Sequence, residues 1–198
     1  MDELDLAACV DLVLHDLATP LGAQQMWLSV LRERIDDPDT RTRALDAIER
    51  CVQHETRLVQ DLRDLSRVLR GDIEAPAAVL SLSRLLAAAN DRVQPLAAEH
   101  GCAVDTQLAP GVEMRAHADK LVRTVDLLLE HLVTRARGGR LAITLDAGGG
   151  AITCTLARTP AGGLGRRSLA LVYARAMVRL HAGTLVMRDD AIELRFAT

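Results

Sequence analysis

The chain has 198 residues, 49% of them hydrophobic and 26% charged, which gives room for one domain or two small ones and places it with globular rather than disordered or fibrous proteins. A net charge of −3 argues against broad phosphate-backbone binding, and a single Trp, Tyr and Phe against an aromatic platform for single-stranded nucleic acid, so no nucleic-acid partner is expected. No run approaches the roughly 18 consecutive apolar residues of a membrane-spanning helix. Met1-Asp2-Glu3 is acidic where a signal peptide is basic, so a cytoplasmic protein with no membrane contact is expected, and the short length together with the lack of a membrane segment predicts no attached sensor domain. Cys9, Cys51, Cys102 and Cys154 never form a C-x-x-C pair and read as buried free thiols rather than as a disulfide framework or a zinc site.

The first 70 residues predict two long helices. In the first, Val10, Leu14, Leu17, Leu21, Gln24, Leu28, Leu31 and Ile35 alternate spacings of four and three, the heptad pattern of a helix in a bundle. Asp36-Asp37-Pro38-Asp39-Thr40 suits a turn and the acidic start of a second helix. That helix repeats the pattern at Ala44, Ile48, Cys51, Glu55, Leu58, Leu62, Leu65 and Leu69 and ends near Gly71. Two amphipathic helices bury little apolar surface by themselves, and two such hairpins dimerising into a four-helix bundle is the economical solution, so a homodimer is expected.

After a linker at 72–78 the texture changes. Leu80 to His100 predicts a helix, Cys102 to Leu108 a strand, and Ala118 to Ala136 a helix. Strands at 140–146 and 151–157 flank the turn Gly148-Gly149-Gly150. A glycine-rich loop from Pro160 to Gly165 leads to a helix from Ser168 to His181, and strands at 184–188 and 191–196 finish the chain. This order predicts an α+β fold in two domains: a helical hairpin at 1–72, and at 78–198 a sandwich of one largely antiparallel sheet and one helical layer.

The densest local signal is His15-Asp16-Leu17-Ala18-Thr19-Pro20-Leu21. Pro20 removes the N–H that would bond to the Asp16 carbonyl, so a bend is expected beside His15. His15 lies next to seam positions without occupying the seam, which leaves its imidazole exposed. Thr19 shares its face one turn on. Asp16 is the natural partner of one ring nitrogen, which leaves the other as a nucleophile. The segment resembles the phospho-acceptor H-box of two-component histidine kinases, and Gln60-Asp61-Leu62-Arg63-Asp64-Leu65-Ser66-Arg67 resembles the end of the second helix of the same dimerisation and phosphotransfer domain.

By order of elements, 82–198 resembles the kinase ATP-binding domain: a first helix from Leu82 to His100, the N-box helix at 119–139, and a last helix ending in Leu180-His181-Ala182-Gly183. The residues depart from that pattern. Where the resemblance puts the N-box asparagines the chain has Leu127 and His131, and Thr134 stands at the following basic position. Leucine offers no oxygen donor to magnesium. Arg158 stands for the aspartate that accepts from adenine, and arginine has donors only. Arg166, Ser168 and Ala170 occupy the later glycine box, while Gly162-Gly163-Leu164-Gly165 reads as a flexible loop or a displaced remnant of it.

These departures imply that the chain itself binds no nucleotide or metal cofactor. The combination resembles histidine phosphotransferases of the ChpT type, in which His15 accepts a phosphoryl group from a receiver-domain aspartate and passes it to another receiver. The resemblance implies response-regulator receiver domains as partners, with their own magnesium, and a hybrid histidine kinase upstream. Asp16 would orient and deprotonate His15. Ala18, Gly22 and Ala23 would leave room for a partner helix, with Met26 as an adaptable apolar contact. Three alternatives stand beside this reading: a receiver phosphatase in which Asp16 and Thr19 position water, a divergent kinase, and a non-catalytic scaffold. Arg158, Arg166, Arg167 and Arg175 read as solvated charges, and the other histidines, His54, His100, His117, His131 and His181, as structural.

Overall fold

The computed structural model describes residues 6–73, 78–135, 138–148, 151–159 and 168–197. They fall into two compact units, Met1–Arg67 and Val68–Thr198. The first is a hairpin of α1 (Leu6–Glu33) and α2 (Pro38–Arg70), the latter running just past the unit boundary. Pro38 opens α2 at a position where its missing N–H costs nothing. Before it, Asp37 accepts from the Asp39 amide at 3.3 Å and from the Thr40 hydroxyl at 2.5 Å. The Thr40 hydrogen bond leads the effects that hold the Asp37 carboxyl below the usual carboxylate range. Gly71, with φ of 73°, ends α2 in the left-handed conformation glycine adopts without strain. Pro20 sits buried inside α1 without ending it.

The single seam expected on α1 is in fact two rows. Leu17, Gln24 and Leu31 are half-buried, whereas Val10, Leu14, Leu21, Leu28 and Ile35 are exposed, Ile35 lying beyond the end of the helix. A neighbouring helix contacts only one line along α1, so one of two interleaved heptad rows stays open within a hairpin. On α2 the expected row does turn inward, with Ala44, Leu58 and Leu65 buried and Ile48, Cys51, Glu55 and Leu62 half-buried; only Leu69 is exposed. Ala47 and Asp61 are buried as well, and a second α2 row, Leu45, Val52 and Val59, is exposed at seven-residue spacing.

The second unit runs β1 (Ala78–Ser81), α3 (Leu82–Glu99), β2 (Ala103–Leu108), β3 (Glu113–Ala116), α4 (Ala118–Val133), β4 (Arg140–Gly148), β5 (Ala151–Thr159), α5 (Leu169–Leu180), β6 (Thr184–Met187) and β7 (Ala191–Ala197). Five strands form one sheet in the order β2-β4-β5-β7-β6, in which β2 and β4 are parallel and the other pairs antiparallel. β1 and β3 form a separate antiparallel ribbon that the sequence reading lacks, and Leu80 and Ser81 belong to β1 rather than to the helix. Ser81 caps α3, its hydroxyl accepting from the Arg84 amide. Alternation sends Leu141, Ile143 and Leu145 of β4, Ile152, Cys154 and Leu156 of β5, and Ile192, Leu194 and Phe196 of β7 into one core with Leu86, Leu128 and Leu132 of the helices. Burial pushes the Cys154 thiol up to about 12. The architecture is an α+β hairpin-plus-sandwich, as the sequence predicts.

Candidate phospho-acceptor site

His15 projects from α1 with 82% of its side chain exposed. Its Nδ1 lies 3.2 Å from Asp16 Oδ1. A carboxylate on Nδ1 favours the tautomer with the proton there, which leaves Nε2 as a lone-pair nitrogen facing solvent. Thr19, one turn on and also exposed, donates to the His15 carbonyl at 3.5 Å. Ala18, Gly22 and Met26 follow at four-residue spacing and are exposed, while Ala23 is half-buried and turns away from that face. A Cβ added to Gly22 would meet nothing within 4 Å, so packing inside the chain makes no use of its missing side chain.

In the second unit, Leu127 is half-buried and His131 is buried on α4. Arg135 Nη1 donates to His131 Nδ1 at 3.0 Å. Thr134 closes α4, its hydroxyl donating to the carbonyls of Glu130 at 2.9 Å and His131 at 3.2 Å. Arg158 corrects the expectation of a solvated charge, because it is only 7% exposed. It continues the inward row of β5 after Ile152, Cys154 and Leu156, so strand alternation carries it beneath the helical layer. There its Nη1 donates to the carbonyl of Arg135, at the negative end of the α4 dipole. Arg175 is exposed, as read, with Nη2 3.6 Å from Met187 Sδ. Ser168 caps α5, accepting from the Leu171 amide, and Ala170 sits in its first turn. Arg166, Arg167, the 162–165 glycine cluster, and Gly149 and Gly150 of the predicted turn lie outside the described residues.

His117 and His181 are 64 positions apart, yet their rings meet edge to face with centroids 5.7 Å apart. No spacing signals a contact made only when α4 and α5 pack. Among the described residues, no group of three or more His, Cys, Asp or Glu gathers so as to hold a metal ion, and no helix is long and apolar enough to cross a membrane.

Residues 7–71 match the family described as the His Kinase A (phospho-acceptor) domain. The chain is 31% identical over 201 residues to the alginate biosynthesis sensor protein KinB of Pseudomonas aeruginosa. That match covers 89% of this chain, which spans about a third (33%) of KinB's length. Among solved structures, histidine kinase AdeS of Acinetobacter baumannii aligns with a TM-score of 0.74 over 92% of this chain and 97% of its own, at 14% identity. Histidine kinase ThkA, in complex with response regulator protein TrrA, aligns with a TM-score of 0.60 over 93% of this chain and 58% of its own, at 13% identity. The fold is thus the one these structures share, a helical hairpin followed by an α/β sandwich.

Proposed function

We propose that the chain is a histidine phosphotransfer protein of two-component signalling, accepting a phosphoryl group on His15 from one receiver-domain aspartate and passing it to another without using ATP. The observation that carries this reading is the exposed imidazole with its Nδ1 against Asp16. Nε2 attacks the phosphorus of the phosphoaspartate in line, an N–P bond forms, and the aspartyl O–P bond breaks to release the receiver's carboxylate. The imidazole proton stays on Nδ1 facing Asp16. The chain's task is positioning, which dominates phosphoryl transfer, and the receiver brings its own magnesium. The complex of ThkA with a response regulator supports a receiver as the kind of partner. A hybrid histidine kinase fits the upstream role. The open rows on α1 and α2 support a homodimeric four-helix bundle.

The residues at the nucleotide positions fit ATP and magnesium poorly. Leu127 and the Arg135-bound His131 supply no oxygen donors, and magnesium takes oxygen. Arg158 turns donors where the resemblance needs an acceptor, and its Nη1 is directed at the Arg135 carbonyl. The second reading is a divergent kinase, favoured by the similarity to KinB along most of this chain.

The test incubates the protein separately with a labelled phosphoreceiver and with labelled ATP and magnesium. Label is expected from the receiver only, and none in His15→Ala. Label retained by His15→Ala overturns the phosphotransfer reading, and label from ATP on His15 establishes the kinase. Receiver dephosphorylation lost in Thr19→Ala but kept in His15→Ala would identify a phosphatase instead.

A further inference from the structure

The joint between α4 and α5 is built around an imidazole with no place for a second proton. His181 is only 7% exposed and closes α5. Its Nδ1 lies 2.7 Å from the Met177 carbonyl, which requires an N–H there. Its Nε2 lies 3.0 Å from the backbone N–H of His117, which requires a lone pair there. Both nitrogens are therefore assigned, and the ring is the neutral Nδ1–H tautomer. His117 is the residue before α4, and its side chain makes no cap hydrogen bond to the helix; its own N–H is the one given to His181.

The frame holding His181 is stiff. Ala182 takes the left-handed conformation at φ of 55°, and its N–H and that of Gly183 donate to the carbonyls of Arg179 and Val178, both at 2.9 Å. Gly183 is pressed against Phe196, where even a Cβ would stand 2.6 Å from the ring. The imidazole therefore has little freedom to turn a protonated Nε2 elsewhere.

We propose that His181 is a proton-sensitive clasp, which in its neutral form ties the start of α4 to the end of α5 and which acidification opens. Protonation of Nε2 sets an N–H against the His117 N–H, so the hydrogen bond breaks and the α4 terminus is released. The titratable and charged groups that bear on the ring are His117, whose charge disfavours the imidazolium, and Asp119, which favours it and is itself held by Lys120 at 3.0 Å. Burial is the largest influence, and it lowers the His181 pKa below the ordinary 6.5. Because the closed form binds the proton more weakly than the open one, the clasp is intact above pH 6.5 and weakens as pH falls from there toward the folded-state value.

The test is amide exchange of His117 in the full chain between pH 7.5 and 5, corrected for the intrinsic pH dependence of exchange. Its protection is expected to fall by up to about tenfold per pH unit below 6.5. In His181→Gln the side-chain oxygen still accepts from His117 but does not titrate, and protection should stay flat. Equal loss in wild type and variant, or no loss in wild type, overturns the proposal. Should the variant fail to fold, the nitrogen shifts of the wild-type His181 ring decide the matter. An Nδ1–H tautomer with a midpoint below 6.5 supports the clasp, and an Nε2–H tautomer or a midpoint at or above 6.5 overturns it.

Discussion

The side-chain amide of Gln24 on α1 donates to Glu55 Oε2 on α2 at 3.0 Å, joining the polar members of the two heptad rows across the hairpin. The other carboxylate oxygen, Oε1, is buried without a hydrogen bond. An inward polar pair of this kind sets register at the expense of stability. Gln24→Ala removes the remaining partner and should destabilise the hairpin by about 1–3 kcal/mol. The double variant Gln24→Leu/Glu55→Leu should recover that loss or exceed wild-type stability. Urea unfolding followed by the fluorescence of Trp27, the sole tryptophan and a residue of α1, measures both. Additive effects of the two single substitutions would show that the pair is uncoupled.

The open rows carry a second prediction. Leu14, Leu21 and Leu28 on α1 and Leu45, Val52 and Val59 on α2 recur every seven residues and remain exposed in the hairpin. Burying such side chains is worth about 1.5–3 kcal/mol each. In a two-fold dimer every substitution acts twice, so Leu28→Glu or Val52→Glu should weaken self-association by about two orders of magnitude or more. Sedimentation should show a dimer for wild type and a monomer of unchanged helix content for either variant. Gln25→Glu, an exposed position outside the rows, should leave the mass unchanged. A monomeric wild type would mean that the rows serve another partner.

The hairpin is legible because its heptads and Pro38 are local signals, and the exposed His15–Asp16 contact because its two residues are neighbours in the chain. Periodicity did not reveal which of two interleaved rows faces α2, since both repeat every seven residues and only packing separates Leu17 from Leu21. The β1–β3 ribbon leaves no sequence signal because four-residue strands carry too short a pattern, and because Ala78 finds Ala116 only across 38 positions. Arginine is ordinarily solvated, which hides the burial of Arg158, although the alternation of β5 points it inward. The approach of His117 to His181 has no local trace at all.

Two glycines yield opposed predictions. At Gly183 a Cβ would lie 2.6 Å from a Phe196 ring carbon and 2.7 Å from the Arg195 carbonyl oxygen, and a backbone atom of a core strand does not give way cheaply. Gly183→Ala should therefore destabilise the second unit by about 1–3 kcal/mol. Gly22 lies in the middle of α1 with open space about it, so Gly22→Ala should stabilise the helix by about 1 kcal/mol. Gly22 also follows His15 by two turns on the face proposed for receiver docking. There a bulky side chain should misplace the partner and slow transfer by about tenfold or more. Gly22→Leu is then a variant with a sound hairpin and poor phosphotransfer, measured as urea midpoint against the rate of labelling from a phosphoreceiver. Unchanged transfer in Gly22→Leu would remove this face from the docking surface and leave the exposed glycine without a functional account.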